Sequence, residues 1–265
     1  MNCIIIIPTN SAYLDICENF LNLLRINWKN CKYKIIFSVC GEDKRITDCE
    51  TIYNGENATL PKCILNAKRL YPADYYFVFL GDAFISKLVN NEDVEKCLLE
   101  MHEYNINYCR LLPQNILGKE RIIEKRLRYI NTNERYGHSF IAFIATKQFI
   151  EKEFGKGISD RDFEIKYLEL ANKNRNVSYF KDRAICRKNI FHIMPGIEKG
   201  KWDRIVLKKL KYRYPEINFA KRDLISIKKE VFLLIRRKIK HIIPSNMRRS
   251  IKRKIKTKDL FDTEN

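Results

Sequence analysis

The chain has 265 residues, enough for one large α/β domain or one domain with an appendage. With 45% hydrophobic and 12% aromatic residues it has ample material for a core, which excludes a disordered chain. A formal net charge of +19 calls for an anionic partner: nucleic acid, anionic lipid or a phosphorylated ligand.

Cys3 to Ile7 form a short, Ile-rich apolar run, the pattern of a strand buried on both faces. "TNSAYLDICENFLNLLRINW" follows with Leu14, Ile16, Phe20, Leu23 and Leu24 near helical spacing, and Asn10 or Ser11 can cap it. "YKIIFSVC" reads as a second buried strand, "NATLPKCILNAKRLY" as a helix and "DYYFVFLG" as a third strand. Strands and helices in alternation predict a mostly parallel sheet with crossover helices, a Rossmann-like nucleotide-binding layout. A helix near Glu92 to Tyr104 and a strand "NYCRLLP" come next.

The charged stretch "LGKERIIEKRLRYINTNERYG" reads as an insertion or mobile loop. "HSFIAFIAT" is then a strand, "KQFIEKEFG" and "SDRDFEIKYLELANK" are helices, and Ser159 or Asp160 caps the latter. "VSYF" and "AICRKNIFHIM" read as the last strands, and "KWDRIVLKKLKYRYP" as the last helix of the domain. We place a domain boundary at 222/223, beyond which the character of the chain changes.

Lys228 to Lys258 hold thirteen Lys or Arg against one acid, Glu230, a local charge of +12 that leaves +7 for the rest. In "LISIKKEVFLLIRRKIKHIIP" the apolar residues follow helical spacing and the basic ones fall mostly elsewhere; Pro244 stops the pattern and a second short basic helix follows. Tandem basic amphipathic helices match interfacial anchors on an anionic membrane surface, here through residues 224–258. Docking of the tail on the domain and binding to nucleic acid are the alternatives. A non-enzymatic nucleic-acid-binding protein using this tail is therefore the competing class, although the continuous apolar stripe argues against nucleic acid.

Nine cysteines lack any CxxC pair, their number is odd and no secretory signal is visible, so we expect structural thiols in a reducing cytoplasm. No stretch reaches the roughly 18 apolar residues of a membrane span.

There is no GxGxxG, GxSxG or HExxH, and "GIEKGKW" lacks the spacing of a phosphate loop. Three clusters remain. Asp82 follows the third strand, where ligands of parallel sheets bind; Gly81 beside it leaves room for a ligand or metal. The alternative is a turn aspartate bonded to its own backbone. Asp160 and Glu164 are four apart and share a helix face, which suits a general base on an acceptor hydroxyl; solvated charges at a helix start are the plain alternative. In "GIEKGKW", Lys199 and Lys201 can make a flexible cationic lid over a diphosphate, or a simple surface turn. His192 ends a strand beside this turn, as ligand or as structural residue.

In this order, "IIIIPTN", "YYFVFLGDAFI", "NYCRLLP", "GISDRDFEIKY" and "PGIEKGKW" resemble the GT-A-type bacterial glycosyltransferases that build lipopolysaccharide or capsule, over roughly residues 1–212. That resemblance implies a GT-A sheet binding a nucleotide-sugar, with a UDP-sugar the first expectation, and a lipid-linked saccharide acceptor. It places Pro8, Thr9 and Asn10 near the nucleotide, Asp82 near the diphosphate and any divalent metal, and Glu164 near the acceptor. It also implies a peripheral enzyme on the inner face of the cytoplasmic membrane, with no nucleic acid expected. Where the family carries an acidic pair, this chain has Gly81-Asp82. A single carboxylate can hold Mg²⁺ or Mn²⁺ with help from water and phosphate oxygens.

Overall fold

A computed structural model describes residues 1–231 apart from 115–119, 133, 135–136, 156 and 174–176. An eight-stranded sheet runs through the molecule in the order β3-β2-β1-β4-β8-β6-β9-β7. Its strands are β1 (Cys3–Asn10), β2 (Lys34–Cys40), β3 (Glu50–Tyr53), β4 (Tyr75–Phe79), β6 (Tyr108–Arg110), β7 (Leu127–Asn131), β8 (Ala142–Thr146) and β9 (Tyr179–Cys186). β1 pairs in parallel with both β2 and β4, and β2 with β3, so the N-terminal half is the expected parallel layout.

Alternation of side chains across the strands supplies two cores, one per sheet face. On β1, Ile5 and Ile7 join one cluster while Ile4 and Ile6 join the other; on β4, Phe77 and Phe79 oppose Tyr76 and Val78. Helices α1 (Leu14–Asn27), α3 (Asn91–Glu103) and α6 (Arg204–Arg213) cover the first face. Helices α2 (Leu60–Leu70), α4 (Lys147–Phe154) and α5 (Asp160–Lys173) cover the second. Their starts follow sequence chemistry: Thr59, Thr146 and Asp203 each accept a backbone N–H in the first turn of α2, α4 and α6.

The C-terminal half departs from the expected pattern. β8 lies antiparallel between β4 and β6, and β7 antiparallel on the edge beside β9. A fully buried apolar run carries no mark of its direction, so "FIAFIAT" gave no warning of the reversal. β7 falls inside the charged stretch expected to be a loop. It is fixed there by Arg128, which is 1% exposed and paired with the buried Glu134 at 2.6 Å. "VSYF" and "AIC" belong to one strand, β9, rather than two.

Two separate two-stranded sheets complete the strands. β5 (Ala83–Ile85) pairs antiparallel with β10 (Ile193–Pro195), and β11 (Ile197–Glu198) with β12 (Lys201–Trp202). Residues assigned to the tail begin on the domain. Asp223 and Ile225 exchange backbone hydrogen bonds with Trp202, and Ile225 is buried. A helical turn starts at 227; the remainder of the tail lies outside the described residues. No helix among the described residues is long and apolar enough to cross a membrane.

Candidate functional site

The strand order turns between β1 and β4: β2 and β3 lie to one side of β1, and β4 to the other. At such a point the loops leaving the strands' carboxyl ends diverge and open a crevice. Pro8, Thr9 and Asn10 end β1, and Leu80, Gly81 and Asp82 follow β4; all six line one cleft of about 460 Å³. Tyr13, Ile16, Cys40, the entry to α2 at Ala58–Leu60, Asp160, Ile197, Lys199 and Gly200 complete its walls. A second hollow of about 430 Å³ sits at the end of α6 among Lys211, Tyr214 and Pro215–Phe219, and gathers none of the sequence-predicted residues.

The β1 wall is held by its own polar groups. Asn10 Oδ1 accepts from Ala12 N–H at 3.0 Å, capping a turn of 3₁₀ helix ahead of α1. Cys17 donates to Thr9 Oγ1 at 3.2 Å, and burial pushes its thiol up to about 12. Gly81 serves a different purpose from the one its place suggested. A Cβ there would stand 2.4 Å from Cys17 Sγ, so the missing side chain makes room for α1. Gly81 lines the cleft, but the space beside it is already filled by sulfur.

Asp82 is half-buried at the floor of the cleft. Burial raises its carboxyl pKa from the usual range to about 6; its own N–H and that of Ile197 pull the other way, and Glu198 adds to the rise. The bond to its own backbone belongs to the turn reading, but the Ile197 N–H comes from a segment more than a hundred residues away. Gly196 N–H also donates to the Asp82 carbonyl at 3.2 Å. The "GIEKGKW" segment is therefore stitched to Asp82.

That segment is a tight hairpin, not a long lid. Glu198 pairs with Lys201, and the two residues between them, Lys199 (φ +52°) and Gly200 (φ +77°), are both left-handed, as in a two-residue type I′ turn. The turn divides the two lysines. Lys199 lines the cleft, while Lys201 lies outside it and pairs with Asp223 at 2.9 Å. Trp202 packs inward: it stacks on Phe84 at 5.2 Å and donates from Nε1 to the Ala220 carbonyl at 2.9 Å.

Of the α5 carboxylates, Asp160 is exposed in the cleft. Ser159 caps the helix, bonded reciprocally to Asp162. Glu164 sits one turn deeper and is not a lining residue; it accepts the Phe140 N–H at 3.2 Å, just ahead of β8. Its pKa is raised by burial, with Arg110 opposing and Asp160 adding. His192 stands at the far end of the β5–β10 pair from Asp82, left-handed at φ +49°, with its carbonyl accepting Ser86 N–H and Oγ–H. Its ring pKa is lowered by burial and then by Lys87 and Arg213. The cleft thus gathers Pro8, Thr9, Asn10, Gly81, Asp82, Asp160 and Lys199, and leaves Glu164, His192 and Lys201 outside.

Sequence inspection missed Tyr13. Arg222 covers its ring at 4.8 Å and pairs with Asp15 at 2.7 Å. Arg222 arrives from the other end of the chain, and no local signal links the two. For a divalent cation, Asp82 is a thin donor set. Among the described residues, no group of three His, Cys, Asp or Glu ligand atoms forms around it. A cation there fits only if a diphosphate and water supply most of its oxygens.

No protein-family model matches the chain, and no characterised protein matches it in sequence. Solved structures with a similar layout include a cytidylyltransferase from Leptospira borgpetersenii, at 13% identity and TM-score 0.40, covering 68% of this chain and 74% of that one. TarS of S. aureus (residues 1–349, with UDP) is 12% identical with a TM-score of 0.42, covering 70% and 57%. A UDP-glucose pyrophosphorylase with UDP-glucose is 8% identical with a TM-score of 0.42, covering 71% and 90%. Likeness at this level concerns the layout of strands and decides nothing about activity.

Proposed function

We propose that the cleft binds a nucleotide-sugar, a UDP-sugar first among candidates, and that the protein is a GT-A-type glycosyltransferase. The observation that carries this is the gathering of Pro8–Asn10, Asp82 and Lys199 around one cleft at the β1/β4 turn of strand order. Its volume lies within the usual range for small-ligand sites. Lys199 offers a cation to the diphosphate, and Asp82 would help hold a Mg²⁺ or Mn²⁺ bound mainly by phosphate and water, which would draw charge off the leaving group.

In the reaction, the bond from the anomeric carbon to the diphosphate oxygen breaks as the acceptor hydroxyl oxygen bonds to that carbon. The hydroxyl proton passes to a carboxylate. Asp160 lies in the cleft and is the better placed base; Glu164, engaged with Phe140, positions the segment beneath it. Lys199 stabilises the departing diphosphate. The acceptor is a lipid-linked saccharide of surface-polysaccharide synthesis, lipopolysaccharide or capsule, met at the inner face of the cytoplasmic membrane. The basic tail holds the enzyme there and raises its effective concentration against that acceptor.

The test is a thermal-shift screen of UDP-, GDP-, CMP- and dTDP-sugars with and without Mn²⁺, with free CTP and UTP as controls. A shift with one nucleotide-sugar and its diphosphate, lost in Asp82→Asn and reduced in Lys199→Gly, supports the proposal. A shift with nucleoside triphosphates alone would replace sugar transfer by nucleotidyl transfer.

A further inference from the structure

Away from the cleft, three thiols converge in the core. Cys97 lies on the buried face of α3, Cys109 at the centre of β6 and Cys186 at the end of β9. All three are fully buried, and their sulfurs lie within 4.8 Å of one another. Cys109 Sγ and Cys186 Sγ are 3.7 Å apart. Three sulfurs bound to one tetrahedral zinc at about 2.3 Å would sit about 3.8 Å apart, a spacing the Cys109–Cys186 pair already has.

A cluster of core cysteines can be plain packing, since a free thiol behaves as a small hydrophobe. A second observation points to a ligand. Glu100 follows Cys97 by three residues on the same helix face and is itself buried, at 9% exposure. Its Oε1 accepts from Arg126 at 3.3 Å, but its Oε2 is buried with no hydrogen-bond partner. A buried, unpartnered carboxylate oxygen one helical turn from Cys97 is costly in an apolar core, and turning toward a cation held by the three sulfurs would remove that cost. Arg126, also paired with the half-exposed Asp93 at 2.7 Å, balances the negative charge that three thiolates and a carboxylate carry around a divalent ion.

We propose that Cys97, Cys109 and Cys186 form a structural site for one zinc-class divalent ion that clips α3 to β6 and β9, with the Glu100 carboxylate turning in as the fourth donor when the ion binds. With Glu100 turned in, all four positions would be filled by protein, so the site would be closed to substrate and independent of the cleft. Binding replaces thiol protons, which leave to solvent as the metal–sulfur bonds form.

The test uses the full chain, stripped of metal under reducing conditions and titrated with Co²⁺. We expect one equivalent per chain, a thiolate-to-cobalt charge-transfer absorption, displacement by Zn²⁺ and a higher Tm with either metal. Cys97→Ser and Cys186→Ser should lose the absorption, whereas Cys63→Ser, a buried thiol on α2, should keep it. Should the serine variants fail to fold, Glu100→Gln serves: it should bind Co²⁺ at least tenfold more weakly with an altered spectrum. Wild-type protein that shows neither the absorption nor a metal-dependent Tm overturns the site. So does an absorption lost in Asp82→Asn but kept in Cys97→Ser.

Discussion

Gly81 and Cys17 are in contact so close that a Cβ on Gly81 would stand 2.4 Å from the Cys17 sulfur. Gly81→Ala should therefore cost about 1–3 kcal/mol by overpacking, although position 81 also faces the cleft. Cys17→Ala removes the sulfur, and the double variant should recover most of the loss. Denaturant unfolding of the four proteins in a double-mutant cycle measures this coupling. Additive effects would mean that the glycine answers to something other than α1.

Asp82 makes opposite demands on folding and on binding. Its folded pKa of about 6 lies above the ordinary aspartate value. Between those two values the folded state binds more protons than the unfolded one, so stability falls as pH rises through that window. Above it the buried charge is a standing cost. Asp82→Asn should therefore stabilise the unliganded protein at pH 7 by on the order of 1 kcal/mol, read as a higher Tm. Its binding of a nucleoside diphosphate with Mn²⁺ should nonetheless be lost. In the wild type that binding should weaken as pH falls through about 6, as the carboxylate takes up its proton. Calorimetry from pH 5 to 8 on both proteins checks the two signs together.

Lys199 allows charge to be separated from backbone. It occupies a left-handed position that glycine adopts without penalty. Lys199→Gly should keep the hairpin and leave the Tm unchanged or slightly higher. It should weaken nucleoside diphosphate binding by about tenfold, the loss of one charge-assisted contact. Lys201→Gly provides the contrast, because Lys201 pairs with Asp223 outside the cleft and its loss should leave affinity unchanged.

These expectations mark where the sequence was informative. The runs at Cys3–Ile7 and Tyr75–Leu80 are apolar on both faces, and that alone places their carboxyl ends, Pro8–Asn10 and Asp82, at the ligand edge of the sheet. The direction of β8 was hidden because burial on both faces erases the pattern that distinguishes parallel from antiparallel strands. β7 was hidden because its charges are satisfied by tertiary pairing: Arg128 reads as solvent-exposed until Glu134 is seen against it. The division between Lys199 and Lys201 was equally invisible, because it depends on two left-handed residues in a turn whose partner strand had not been recognised. Contacts between distant segments, such as Tyr13 with Arg222, leave no local trace.

The tail provides the last prediction, and the contacts at its root decide how to make it. Trp202 N–H donates to the Asp223 carbonyl at 2.8 Å, and Ile225 N–H to the Trp202 carbonyl at 2.9 Å; Ile225 is buried. Lys229 also pairs with Glu198 of the hairpin at 3.2 Å. A chain ending at Asp223 would lose the Ile225 and Lys229 contacts together with the basic stretch beyond them, so any defect it showed would confound anchoring with loss of the hairpin's support. A chain ending at Val231 keeps them. It should retain the wild-type Tm and nucleotide binding while losing flotation with vesicles containing anionic lipid, a loss that high salt should reproduce in the full chain. Flotation retained by the shorter chain would move the membrane contact onto the domain. Tight, salt-sensitive binding of the full chain to nucleic acid, with no flotation, would assign the tail to that partner instead.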